Sequence, residues 1–132
     1  MRNAVNYTGY FARLRQGLSE GLVPISISLS TPGEAGKMAR YPALAPSRDI
    51  LNEYKYRNGT WARYKERFHD EVLAKLDARR VFAELVALTG GRPFALCCYE
   101  ADRTRCHRSL VADWLNRELA GVPGWQDIVE MA

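Results

Sequence analysis

A chain of 132 residues, 47% hydrophobic and 26% charged, has the size and composition of one globular domain with a substantial core, so we predict a single domain over residues 1–132. No stretch approaches the roughly 18 consecutive apolar residues of a membrane helix, and the start MRNAVNYTGYF lacks the apolar run of a signal peptide; we therefore expect a cytoplasmic protein without a membrane partner. Three cysteines, two of them adjacent, do not make the framework of a secreted disulfide-rich domain, so we expect thiols.

The first third of the chain predicts two strands joined by a short helix. A strand over 3–7 precedes a helical pattern that ends near Gly21. In residues 22–30 apolar side chains alternate with small or polar ones, which is the period of a strand, and Pro24 fits only its beginning. Residues 31–46, rich in Pro, Gly and Ala, predict a loop.

The rest of the chain predicts four helices and two strands. Three helices have candidate N-caps at Ser47, Thr60 and Asp77. The third ends at Gly90-Gly91, and the apolar run 93–100 (PFALCCYE) is typical of a strand buried on both faces. A last helix follows from His107, and WQDIVEM predicts a final short strand.

Strands alternating with helices predict an α/β fold: a mostly parallel sheet with helices on both faces, in a Rossmann-like three-layer arrangement. Ligands of such sheets bind at the carboxyl ends of the strands. That edge would bring together Thr8, Tyr10, the stretches 28–31 and 98–100, and the start of the last helix near 106–109.

Twelve residues, CCYEADRTRCHR (97–108), hold all three cysteines, one of the two histidines and three arginines. Neighbouring strand residues point to opposite faces, so Cys97 and Cys98 cannot both reach one pocket, and one of them should pack in the core. The other would converge on a ligand with Glu100, Cys106, His107 and Arg108.

An anion or thiolate site at the start of the last helix fits these residue types. Free N–H groups and the helix dipole favour anions and thiolates there. Arg108 would clamp the anion, while His107 would act as acid or base near neutral pH with Glu100 as a second such group. A structural role is equally open, in which His107 caps the helix and Arg108 pairs with Glu100 or Asp102.

Other chemistries have weaker support. Cys98, Cys106 and His107 are zinc-type ligands, but their C-x7-C-H spacing is not a zinc knuckle and Cys106 and His107 should point in different directions, so a metal site is only a lesser alternative. C97-x5-R103-T104 is a poor match to the phosphate-binding loop of cysteine phosphatases. Cys98 and Cys106 lack the C-x-x-C spacing of a thiol redox pair. We predict no cofactor. The stretch that ends in Gly36-Lys37 resembles a phosphate loop but lacks the first glycine of that motif.

Residues 37–67 form a basic, aromatic segment with eight Lys or Arg against three acids, interleaved with four tyrosines and one tryptophan. Such a pattern can follow a phosphate backbone and stack bases, and it can equally be the solvated and buried faces of helices. It offers a rival interpretation, a non-catalytic nucleic-acid-binding or interaction module.

At LCCYEADRTRCHRSLVADWL the sequence resembles the domain-of-unknown-function family 488. The signature of that family is an apolar strand ending in Cys-x-Glu, a short loop, and Cys-His-Arg opening a helix; here those positions are Cys98, Glu100, Cys106, His107 and Arg108. The stretches YTGYFARL, VPISIS, LAPSRDILNEYK and RYKERFHDEVLAKL look like a compact branch of the family found in bacteria and phages.

This resemblance implies a single, mostly parallel α/β domain and names a site without naming a reaction. Many members carry Asp-x-Arg at the end of the second strand, where this chain has Ser26, Ser28 and Ser30, so a charged pair that lines the pocket in those members is absent here.

The lead hypothesis is an enzyme or ligand-binding protein for a phosphorylated, nucleotide-like or nucleic-acid ligand, with thiol- or histidine-dependent chemistry if it is catalytic. The catalytic candidates are Cys98, Glu100, Cys106, His107 and Arg108. The ligand-binding candidates are Tyr10, Ser28, Thr31, Lys37 and Tyr64.

Overall fold

Five strands form one sheet in the computed structural model, which describes residues 5–18, 21–30 and 38–132 except for the side chain of residue 15. The strands are β1 (Asn6–Tyr10), β2 (Val23–Ser26), β3 (Ala39–Arg40), β4 (Phe94–Cys98) and β5 (Ile128–Glu130). Their spatial order is β3-β2-β4-β1-β5, and every pairing among the described strands is parallel. The predicted α/β class is confirmed.

Four α-helices connect these strands: α1 (Arg48–Tyr56), α2 (Trp61–Glu71), α3 (Ala78–Thr89) and α4 (His107–Glu118). The predicted N-caps of the first three are confirmed, because the side chains of Ser47, Thr60 and Asp77 accept hydrogen bonds from free backbone N–H groups of the first turn at 3.1 Å. Gly90 ends α3 in the left-handed conformation (φ 64°), which costs least for glycine.

The two faces of the sheet are covered differently. Phe94 and Leu96 of β4 belong to the main core, which includes buried side chains from all four α-helices. Ala95 and Cys97 point to the opposite face and pack with Phe11 of a short 3₁₀ helix, Phe11–Gln16. In the part of the chain that the structure describes, the segment on this face is a 3₁₀ helix rather than an α-helix; no side chain caps its start, and Gly17 (φ 89°) ends it after six residues.

The first two strands differ in extent from their predicted ranges. β1 runs from Asn6 to Tyr10 and so continues past the predicted end at residue 7, while the predicted positions 3 and 4 lie outside the described residues. β2 ends at Ser26 rather than residue 30, although the N–H of Ile27 still donates to the carbonyl of Cys97 at 3.0 Å. None of the helices described in the structure is long and apolar enough to cross a membrane.

Candidate functional site

A cavity of about 380 Å³ lies at the carboxyl ends of β2 and β4. Six of the predicted site residues line it: Ser28, Tyr64, Cys98, Glu100, Cys106 and His107. The walls also include Tyr99, within the stretch 98–100 predicted at this edge, and Tyr54, Lys55 and Arg105, which sequence reasoning did not assign to a pocket. The site therefore lies at the strand-end edge that the parallel sheet predicted.

The two adjacent cysteines separate as the strand period predicts. Cys97 is fully buried on the face that packs with Phe11, and its Sγ donates to the carbonyl of Ala95 at 3.4 Å. Burial raises the pKa of the Cys97 thiol to about 12, so it stays protonated at neutral pH. Cys98 lies on the cavity side, which makes Cys97 the packing cysteine.

Cys106 and His107 converge with Cys98. The Sγ atoms of Cys98 and Cys106 are in direct contact, paired as in a disulfide, while their Cα atoms lie 7.7 Å apart. His107 Nδ1 is 3.8 Å from the Cys106 sulfur, and the ligand-type atoms of all three side chains lie within 4.8 Å of one another. The expectation that Cys106 and His107 diverge is wrong, because Cys106 is the extended N-cap residue (φ −131°, ψ 142°) and not part of the helix.

His107 is held as a neutral ring with one defined tautomer. Its Nε2 lies 2.7 Å from the carbonyl of Ile27, which can only accept, so Nε2 carries the hydrogen and Nδ1 presents a lone pair toward Cys106. Burial, reinforced by the charge of Arg108, lowers the pKa of His107 to about 4. The imidazole is therefore poorly matched to the acid–base role near neutral pH that its sequence position suggested.

Arg108 is fully buried, and its guanidinium is surrounded by acceptors. Nε and Nη2 donate to the Glu130 carboxylate at 3.0 and 2.8 Å. Nη1 donates to Cys98 Sγ at 3.3 Å and to the carbonyl of Glu100, and Nη2 also reaches the carbonyl of Ala101 at 3.1 Å. These contacts engage all five N–H groups of Arg108. The side chain therefore supports the site and has no free N–H group with which to bind an anion, so our prediction of an anion-binding Arg108 is wrong.

Glu130 is the partner of Arg108 that sequence reasoning missed. It follows the buried Ile128 by two residues in β5, and Thr8 Oγ1 donates to its carboxylate at 2.7 Å. A carboxylate on the buried face of a strand needs a positively charged partner. The spacing of two residues between Ile128 and Glu130 was therefore the sequence signal that Glu130 would have such a partner. The predicted partners Glu100 and Asp102 do not form an ion pair with Arg108 in the described structure.

A comparison of the sequence with models of protein families found a match that covers most of the chain. The family model DUF488-N3a, described as the active DUF488-N3 subclade, matches residues 22–119. The chain belongs to the DUF488 family. No curated protein and no solved structure matches it. The matched range contains Cys98, Cys106, His107 and Arg108, whereas Glu130 lies beyond it.

Only some of the remaining predicted site residues of this DUF488 protein line the cavity. Tyr10 does not line the cavity; its ring centre lies 5.7 Å from the Arg108 Cζ, behind the site. Glu100 lines the cavity with an exposed side chain. Thr31 and Lys37 lie outside the described residues, so their predicted roles remain predictions.

The basic, aromatic segment of this family member is largely used in its own packing. Arg57 pairs with Asp49 at 3.3 Å, Arg63 with Glu66 at 2.6 Å, and Arg67 with Asp49 and Glu71. Trp61, Tyr64 and Phe68 stack in sequence, with Tyr64 and Phe68 buried in the core. Three arginines of the segment thus have carboxylate partners and Tyr64 is buried, whereas Tyr56 is exposed and Lys55 lines the cavity. The rival nucleic-acid interpretation stays a prediction.

Proposed function

We propose that this DUF488 protein is an enzyme that acts on a small phosphorylated or nucleotide-like molecule bound in the cavity, with Cys98, Cys106 and His107 as its reactive centre. The observation that carries the proposal is the convergence of two sulfurs and an imidazole on one cavity at the carboxyl ends of parallel strands. The description of the matching family model as an active subclade also favours catalysis.

The cavity walls support a ligand with an aromatic ring and an anionic group. A volume of about 380 Å³ is in the range of small-molecule sites. Tyr54 and Tyr99 supply aromatic surface for a base, while Lys55 and Arg105 supply cations for phosphate. The carboxylate of Glu100 is suited to accept hydrogen bonds from hydroxyl groups of a sugar.

The sulfur of Cys98 has a cation beside it. The buried guanidinium of Arg108 donates to its Sγ, and a cation at this distance stabilises a thiolate relative to a thiol. The thiolate is the form that serves both as nucleophile and as metal ligand. His107, neutral and fixed by Ile27, orients the Cys106 side of the cluster and does not supply a mobile proton near neutral pH.

Binding of AMP, of adenosine and of inorganic phosphate to the reduced full chain, measured by isothermal titration calorimetry, tests the ligand class. We expect AMP to bind more tightly than either fragment, because only AMP engages both the aromatic walls and the cations. Arg105→Ala should weaken AMP binding about tenfold, equivalent to ~1.4 kcal/mol.

Arg103→Ala is the matched control for this measurement. Arg103 lies in the same 3₁₀ turn, Arg103–Arg105, but does not line the cavity, so its removal should leave AMP affinity unchanged. Equal effects of the two substitutions, or failure of all three probes to bind, would count against the proposed ligand class.

A further inference from the structure

We propose that Cys98, Cys106 and His107 form a three-ligand binding site for one Zn²⁺ ion. The proposal deepens the proposed function and rests on it only for the role of the cavity beside the ion. All three side chains are buried, and their ligand atoms already lie within 4.8 Å of one another. Two thiolates and an imidazole nitrogen form a donor set that zinc prefers.

The backbone separation of the cysteines suits an intervening ion. The Cα atoms of Cys98 and Cys106 are 7.7 Å apart, whereas disulfides usually have Cα separations of roughly 4.4–6.8 Å. In a tetrahedral site with Zn–S bonds of about 2.3 Å, the two sulfurs lie about 3.8 Å apart. Small rotations of the two side chains away from each other would open that distance without drawing the strand and the helix together.

The Ile27 carbonyl and Arg108 already orient two of the three proposed ligands as a metal site requires. The Ile27 carbonyl accepts from His107 Nε2 and leaves the Nδ1 lone pair directed toward Cys106, which is how outer carbonyls orient metal-binding histidines. Arg108 donates to the Cys98 sulfur, and Glu130 balances the guanidinium charge. The Cys98 sulfur and the imidazole therefore have defined partners on their protein side.

The charges of the complete site balance. When Zn²⁺ binds, the thiols of Cys98 and Cys106 each release one proton to solvent, and the two thiolates neutralise the ion. The Arg108–Glu130 pair adds no net charge. The buried site is thus neutral overall, which removes the main cost of placing a divalent ion inside the protein.

Three protein ligands leave the fourth position of a tetrahedral ion for a water or a substrate atom, as in catalytic rather than structural zinc sites. Since Cys98, Cys106 and His107 all line the cavity, that position would face the proposed ligand. The chemical class assigned to the site is therefore a zinc centre with an open coordination position.

Titration of the full chain, reduced with a phosphine and freed of metal, with Co²⁺ and then Zn²⁺ tests the proposal. We expect one equivalent of Co²⁺ to produce the intense thiolate-to-cobalt absorption of a tetrahedral site, and one equivalent of Zn²⁺ to abolish it. A folded wild-type chain that gives no thiolate-to-cobalt absorption would overturn the proposal, whatever the variants do.

Cys97→Ala is the matched control, because Cys97 adjoins Cys98 in the chain but faces the opposite side of the sheet. It should bind one Co²⁺ with the wild-type spectrum. Cys98→Ala and Cys106→Ala should each reduce the thiolate absorption by about half and weaken Zn²⁺ affinity at least tenfold, with folding checked by circular dichroism. Unchanged spectra in both variants would assign the metal to other residues and refute the site.

The calorimetric AMP titration, repeated with and without Zn²⁺, separates this proposal from the proposed function. AMP binding by a chain that takes up no metal would refute only the zinc site. Stoichiometric zinc in a chain that binds none of the anionic probes would refute only the ligand class.

Discussion

Arg108 keeps its charge inside the protein because acceptors surround its whole guanidinium. The carboxylate of Glu130 supplies the counter-charge, and the backbone carbonyls of Glu100 and Ala101 take up N–H groups that would otherwise be buried without partners. The same residue fixes the end of β4 and donates to Cys98. At this scale the site depends on a buried ion pair rather than on the cysteines alone.

Arg108→Met should lower the free energy of unfolding by about 3–5 kcal/mol, because it leaves the largely buried Glu130 carboxylate without its cation. Urea denaturation followed by circular dichroism measures the change. Arg105→Met, which alters an exposed side chain in the adjoining turn, should stay within about 0.5 kcal/mol of wild type. Comparable losses in the two variants would argue against a buried, paired Arg108.

Cys97 should resist alkylation in the folded, reduced chain. Burial raises its thiol pKa to about 12, so almost no thiolate is present at the mildly alkaline pH used for iodoacetamide. Peptide mass spectrometry should find label on Cys97 only after denaturation, while Cys98 or Cys106 is labelled first in the native chain. Labelling of Cys97 at the rate of the unfolded chain would contradict the placement of its side chain.

At the scale of elements, Arg67 joins α1 to α2. Its guanidinium contacts Asp49 of α1 at 2.8 Å and Glu71 of its own helix at 2.6 Å. Hydrogen bonds from Arg67 lower the pKa of both carboxyl groups below their usual values. Because α2 also provides Tyr64 to the cavity, this surface contact helps to position one wall of the site.

The contribution of Arg67 to stability should depend on acid pH. A carboxyl group with a lower pKa in the folded state binds more protons when unfolded, so its stabilisation is present above the unfolded pKa of about 4 and is lost as the pH falls through the folded value. The difference in free energy of unfolding between wild type and Arg67→Gln should therefore hold steady from about pH 7 to pH 5 and narrow below about pH 4.

Urea denaturation at a series of pH values and low ionic strength measures this difference, since salt screens exposed pairs. Arg80→Gln is the comparison, because Arg80 and Glu84 are an exposed pair at 3.8 Å and should contribute little at any pH. A difference for Arg67→Gln that is the same at both ends of the pH range would contradict the role of the two carboxylates.

The whole molecule assembles the site from distant parts of the chain. β4 supplies the sulfur of Cys98, the N-cap and first residue of α4 supply the second sulfur and the imidazole, β5 supplies Glu130, and β1 lies between β4 and β5 in the sheet. Both β1 and β5 lie outside the range 22–119 that the family model matches. Ile27 and Arg108 lie inside that range, whereas the carboxylate that pairs with Arg108 comes from an element beyond it.

Truncation of the chain after Pro123 should destabilise the protein by more than about 3 kcal/mol, since it removes the counter-charge of Arg108 and exposes the edge of β1. Val129→Thr in the full chain is the control, because that side chain is half exposed and should tolerate the change. Thermal unfolding compares the two. A truncated chain as stable as wild type would show that β5 is dispensable for the site.

Local patterns in the sequence determined the parts of this protein that depend on residues near one another in the chain. The caps at Ser47, Thr60 and Asp77, the alternation of Cys97 and Cys98, and the edge that holds the site all follow from short-range periods and backbone hydrogen bonds. Only the tertiary structure decided that Arg108 pairs with Glu130, that Ile27 sets the tautomer of His107, and that Cys106 turns toward His107. Those contacts depend on strand order and on the extended backbone at one helix start, and no local period encodes either.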